Sequence, residues 1–153
     1  MTDPKDKILF ALDVDALPKA TPYIEVLSPF VGAFKIGLEL MNAVGTPQVV
    51  QHIHRLGGQV FVDCKLNDIP NTVRGASRVI ADLGVKYFNV HASSGIEAIK
   101  AAAEVKKEAK LLVVTVLTSL DEPQCLSIFG KTPQEKVIQF AQEAKEAGAD
   151  GII

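Results

Sequence analysis

Cysteine is close to absent from this sequence. Cys64 and Cys125 stand in unlike surroundings, with no CxxC and no His/Cys spacing, which excludes a disulfide-stapled scaffold and gives no support to a structural metal site. Both are expected to be free thiols. Long apolar runs are missing too: no stretch approaches the roughly 20 residues of a membrane helix. The N-terminal "MTDPKDKILFALDVD" carries acids on both sides of a short apolar run, unlike a signal peptide. The expected location is the cytoplasm, with no membrane partner. Neither sign of charge dominates, since 16 Lys and Arg against 18 Asp and Glu leave a net charge of −2. The lysines are scattered, so there is no basic field for nucleic acid. GxGxxG, Walker A and Gly-x-Ser-x-Gly sequences are also lacking, which removes support for dinucleotide, nucleoside-triphosphate and serine-hydrolase readings. Small molecules and other protein chains remain as partners.

What is present is an ordinary globular composition, 48% hydrophobic and 22% charged over 153 residues, enough to bury a core. Short apolar runs alternate with amphipathic segments, which predicts an α/β fold with a parallel sheet. The predicted strands are "ILFALDV", "GAFKIG", "QVFVDCK", "KYFNVHA" and "LLVVTVLTS"; their near-continuous hydrophobicity suits strands covered on both faces. Thr46-Pro47, Ser94-x-x-Glu97 and Thr132-Pro133-x-Glu135 read as helix starts with capping hydroxyls. The last of these predicted helices places Val137, Phe140, Ala141 and Ala144 on one face and is closed by Gly148. The pattern stops at "ADGII", a strand signal. Roughly five and a half βα units cannot close an eight-stranded barrel, so either the fold is open or the sequence is incomplete. The expectation is the second, with residues 1–153 forming one incomplete domain.

Charges sit where the strands end. Asp63 and Lys65 in "FVDCKLNDIPNTV" are two apart, so strand alternation puts them on one face, about 6.5–7 Å apart, with Val62 and Cys64 on the other. Lys35 lies in "FKIG" and Asp13 follows "FAL". C-terminal strand ends are where parallel α/β folds place ligands. Read singly, each residue has a plainer role: Asp68 as a helix cap, Asp63 with Lys65 as a structural ion pair, and Lys35 as a snorkelling rim residue. Read jointly, a buried array of two lysines and two aspartates is costly to desolvate and points to chemistry. His52 and His54 are two apart on a predicted helix and so share no face for a metal. His91 ends a strand and either faces the site or makes a structural hydrogen bond.

Carboxylates on both sides of Lys65 favour its ammonium form, the opposite of what a Schiff-base lysine needs. A charged lysine is a proton donor, and carboxylates crowd a substrate anion. The array therefore suits decarboxylation through a carbanion.

The run "DCKLNDIPNT" resembles the signature of the orotidine 5′-phosphate decarboxylase family, and "FALDV", "FKIGLEL", "NVHASSG" and "VTVLTSL" resemble the surrounding family blocks in the right order. Asp-x-Lys-x-x-Asp alone is shared with phosphosugar decarboxylases and hexulose-phosphate synthases; Ile69-Pro70-Asn71-Thr72 narrows the resemblance to the pyrimidine enzyme. The resemblance implies a (β/α)8 TIM barrel of which this chain covers the first five and a half units. It implies conversion of orotidine 5′-phosphate to uridine 5′-phosphate in pyrimidine biosynthesis, with neither metal nor organic cofactor. Lys65 would be the proton donor to C6 and Asp63 would lie beside the departing carboxylate. Lys35 would orient Asp63 and contact the ribose, and Asp13 would bind a ribose hydroxyl. Asp68 and Thr72, with Ile69 beside them among the substrate-binding positions, would reach a neighbouring subunit's site in a homodimer. Thr118 and Ser119 would contact the pyrimidine. The family grips its phosphate with loops after the seventh and eighth strands, including an arginine, and no residue here matches them. A chain of this length is therefore expected to be inactive alone. The alternatives are a Mg²⁺-dependent phosphosugar decarboxylase or hexulose-phosphate synthase, and an idle half-barrel.

Overall fold

The computed structural model describes residues 3–153. Six parallel strands form one sheet in chain order: β1 (Leu9–Ala11), β2 (Ala33–Ile36), β3 (Val60–Leu66), β4 (Tyr87–His91), β5 (Lys110–Val114) and β6 (Gly151–Ile152). Parallel neighbours require crossover connections, and helices supply them. α1 (Leu17–Leu27) follows β1, α2 (Leu38–Val44) and α3 (Thr46–Arg55) follow β2, and α4 (Pro70–Asp82) follows β3. α5 (Ile96–Ala103) follows β4, and α6 (Glu122–Phe129) and α7 (Pro133–Glu146) follow β5. The sheet curls, because Lys35 of β2 and Ile153 just past β6 line one cavity.

Strand alternation sorts the side chains into two faces. Phe34, Val60, Val62, Phe88, Val90, Leu111 and Val113 have no exposed surface and form the core with Ile24, Leu40, Val49, Ile53 and Ile99 from the helices. Each such burial contributes about 1.5–3 kcal/mol. The register Ala11, Lys35, Phe61, Tyr87 runs across the other face. Phe61 and Tyr87 meet edge to face at 6.0 Å there.

Several local expectations are corrected. β1 and β5 are shorter than their apolar runs, so "DV" and "TVLTS" lie in loops beyond them. The second and fifth units each hold two helices. α6 begins with a capping box that the sequence reading passed over: Asp121 accepts from the Gln124 N–H at 2.9 Å and Gln124 accepts from the Asp121 N–H at 3.0 Å. The Thr132/Glu135 box at α7 is as expected, and Gly148, at φ +82°, takes the left-handed turn after that helix. Thr46 and Ser94 do not cap. Gly45 and Gly95 hold those positions at φ of 100° and 86°, and the Ser94 hydroxyl donates instead to the His91 carbonyl at 2.6 Å. A glycine can occupy these backbone conformations at no steric cost, and neither helix has a side-chain cap.

Candidate active site

Asp63 is the centre of the charged array. β3 carries it to the C-terminal end of the sheet, where it is buried. Its Oδ1 accepts from Lys65 Nζ at 2.7 Å and from Asn89 Nδ2 at 2.6 Å, and its Oδ2 lies 3.5 Å from Lys35 Nζ. Lys35 also reaches Asp13 Oδ1 at 3.5 Å. Four of the residues singled out from the sequence, Asp13, Lys35, Asp63 and Lys65, thus form one connected chain of alternating charge. Burial pushes the Asp63 carboxyl up, but the hydrogen bonds from Lys65 and Asn89 and the charges of Lys65 and Lys35 outweigh it, leaving it below the usual carboxylate range.

Lys65 and Asp63 meet, though not by simple alternation. Val62 pairs with Phe88 and Leu66 with Val90, so β3 advances four residues while β4 advances two. The surplus is a bulge, and within it Lys65 has φ 49°, the left-handed region. A non-glycine residue held there costs roughly 1–3 kcal/mol. The bulge turns the lysine ammonium back onto Asp63, while Cys64 packs toward the core and donates to the Asn89 carbonyl at 3.3 Å. Cys64 and Cys125 are both free thiols, as expected.

Asn89 is the member of this array that the sequence reading missed. It lies in the middle of β4 with no exposed surface. Besides holding Asp63, its Oδ1 accepts from the Lys65 backbone N–H at 2.7 Å. A signal was available, since an amide inside a strand covered on both faces must find partners. His91 ends β4 close enough to feel the array: burial and then the Lys65 charge push its imidazole down, partly opposed by Asp63.

Lys35, Phe61, Asp63, Lys65, Thr118 and Ile153 are among the residues lining a cavity of about 310 Å³. Thr118 is therefore brought to the array; Ser119 is exposed in the same turn after β5. Asp68, Ile69 and Thr72 are not brought to it. All three are exposed at the start of α4. Asp68 does not cap that helix either: its carboxylate accepts only from the adjacent Ile69 N–H at 2.7 Å, and Ile69 holds the cap position. His52 accepts or donates to the Thr21 hydroxyl at 2.9 Å on the outer helices, away from the cavity. A second cavity of about 260 Å³ lies against β6. Its one acid, Asp150, is already taken up by Lys106, by Lys110 at 3.1 Å and by the Leu111 N–H at 2.9 Å, which leaves it no free group for chemistry. Among the described residues no helix is long and apolar enough to cross a membrane.

A family model described as "Orotidine 5′-phosphate decarboxylase / HUMPS family" matches residues 6–153. Orotidine 5′-phosphate decarboxylase of Syntrophomonas wolfei is 42% identical over 97% of the chain and 67% of its own length. The protein of the same name from Moorella thermoacetica is 43% identical over 97% of the chain and 63% of its own length. The chain thus spans about two thirds of the length of these relatives. The crystal structure of orotidine 5′-phosphate decarboxylase from Lactobacillus acidophilus superimposes with a TM-score of 0.84 at 30% identity, covering 95% of this chain and 69% of that one. The six-stranded sheet is accordingly part of a (β/α)8 barrel, as the resemblance implies, and the strand pattern's parallel α/β sheet is its wall.

Proposed function

The chain belongs to the orotidine 5′-phosphate decarboxylase / HUMPS family, and from that premise we propose that the protein converts orotidine 5′-phosphate to uridine 5′-phosphate without a cofactor, a step of pyrimidine biosynthesis. The observation that carries this reading is the Lys65–Asp63 pair, 2.7 Å apart in a cavity at the strand ends. The substrate carboxylate is placed against Asp63. The bond from C6 to the carboxyl carbon breaks, the electron pair stays on C6, and carbon dioxide leaves as a neutral molecule. The Lys65 ammonium then gives C6 its proton. Lys35, within 3.5 Å of both aspartates, holds Asp63 in place and faces the ribose, and Asp13 binds a ribose hydroxyl. Thr118 and Ser119 take the pyrimidine ring. The Asp63 carboxylate already accepts from Lys65 and Asn89 and faces Lys35, which supports metal-free chemistry over the phosphosugar branch of the family, in which acids at the strand ends would hold Mg²⁺. Free thiols at Cys64 and Cys125 fit a reducing compartment such as the cytoplasm.

Asp68, Ile69 and Thr72 are exposed at the mouth of α4, which supports their completing the site of a second subunit in a homodimer. The test is carbon dioxide release from orotidine 5′-phosphate by the full-length gene product, with and without a chelator. Release that survives the chelator is expected. Release abolished by it would move the assignment to the Mg²⁺-dependent branch, and none at all would end the reading. For the shared site, chains carrying Lys65→Ala are mixed with chains carrying Asp68→Ala. Half the dimers are then mixed and each has one complete site, so recovery to about a quarter of wild-type activity is expected. No recovery after verified subunit exchange would refute sharing.

A further inference from the structure

One side chain touches both ends of the Lys65–Asp63 pair. Asn89 Oδ1 accepts from the Lys65 backbone N–H at 2.7 Å, and its Nδ2 donates to Asp63 Oδ1 at 2.6 Å. The orientation follows from chemistry: a backbone N–H only donates and an ionised carboxylate only accepts. The group between them must accept on one side and donate on the other, at the reach of a two-carbon side chain. Asparagine meets that requirement; aspartate, of the same shape, offers two acceptors, and leucine offers neither. The position is also protected from water, since Asn89 has no exposed surface. It sits at the register shift between β3 and β4, where Lys65 is left-handed at φ 49°. Strained backbone persists where its surroundings over-determine it, and here a buried amide supplies the partner that the ladder no longer does.

We propose that Asn89 is the positioning residue of this site: it pins the bulge through the Lys65 N–H and the carboxylate through Asp63 Oδ1, and so sets the approach of the Lys65 ammonium to the reacting carbon. The inference extends the decarboxylase reading and rests on it for its kinetic part only. Asn89 touches no reacting atom. Its loss lowers turnover by letting the acid and Asp63 drift, and a misplacement of about 1 Å costs about 10²-fold.

The experiment compares the full-length gene product with its Asn89→Leu and Asn89→Asp variants in three readouts. In kinetics, Asn89→Leu is expected to lower kcat about 10²-fold with KM within about threefold. In a carbon-13 NMR titration, the Asp63 carboxyl of Asn89→Leu is expected to titrate at higher pH than in wild type, because a donor to its ionised form is gone. In Asn89→Asp two carboxylates share the site, and the pair is expected to take up a proton at higher pH still. A purely structural role for Asn89 would lower stability without moving either titration. In wild type alone, the Lys65 amide is expected to be protected from hydrogen exchange, which needs no variant to fold. Free exchange of that amide, or an Asp63 titration unmoved in Asn89→Leu with kcat within about threefold of wild type, overturns the inference. Absence of decarboxylation by wild type would end the functional reading alone, and the titration and exchange would still decide the role of Asn89.

Discussion

β3 carries two kinds of surface within seven residues. Toward the helices it offers Val60 and Val62, regular, apolar and without exposed surface. Toward the barrel axis and its C-terminal end it offers Asp63 and Lys65, charged, bulged and left-handed at the lysine. The first surface repeats across the sheet, where Ile36, Val62, Phe88 and Leu111 stand in register on four successive strands, all without exposed surface. The second departs from each rule the first obeys: alternation, apolar burial and relaxed backbone. Local departures of this kind persist where function requires them and the rest of the fold supplies the stability. One side of the strand holds the barrel wall together, and the other spends part of that stability on arranging charge.

If that division is right, substitutions on the two surfaces fail differently. The largest effect is expected from Lys65→Ala in the full-length gene product. Removing a positioned acid takes away transition-state stabilisation rather than uniform binding. Turnover should fall at least about 10³-fold, near 4 kcal/mol, with product-nucleotide affinity and thermal stability little changed. Turnover within about tenfold of wild type would show that Lys65 is not the acid. Next is Leu111→Ala, at the N-terminal end of β5 on the helix-facing side and without exposed surface. It should cost about 2–5 kcal/mol of stability while turnover per folded molecule stays near wild type. A loss of turnover as large as its loss of stability would break the comparison.

The two surfaces also differ in how far the sequence reveals them. Apolar runs and the helix faces opposite them were legible because burial enforces periodicity, and the parallel α/β sheet follows from it; closure into a barrel was implied only by the family resemblance. The charges at Lys35, Asp63 and Lys65 were legible only as a set: each alone has a plainer role, but several charges gathered at the strand ends are costly to desolvate. The left-handed turn at Lys65 was not, since backbone of that kind is signalled by glycine or asparagine, and a lysine gives no such sign. Asn89 was overlooked because one amide in "YFNVH" does not disturb the strand pattern; its partners lie on another strand, 24 and 26 residues away. α2 and α6 went unseen because each is short, at seven and eight residues, and adds a helix where the unit already had one. Asp68, Ile69 and Thr72 stand apart from the array, and only the family resemblance singled them out for a neighbouring subunit.

The smallest expected effect sharpens the comparison most, because Asp63 belongs to both sides of it: buried like the core and charged like the site. Asp63→Asn keeps the shape and removes the charge. Turnover should fall while affinity for anionic ligands holds or tightens, since a like charge has left the cavity; weaker binding would count against crowding of the substrate carboxylate. Stability carries a separate sign. The Asp63 carboxyl lies below its ordinary value in the folded protein, because hydrogen bonds from Lys65 and Asn89 and the Lys35 charge outweigh the upward push of burial. A group of that kind stabilises the fold above its unfolded pKa, about 4 for aspartate, and loses that contribution as pH falls through the folded value. The stability gap between wild type and Asp63→Asn should therefore be widest near neutrality and narrow on acidification below about pH 4. Denaturation curves for both proteins across that range measure it directly. A gap that does not change with pH would mean that the ionised carboxylate gains nothing from its three partners, and that the charged side of β3 is held in place by the apolar side alone.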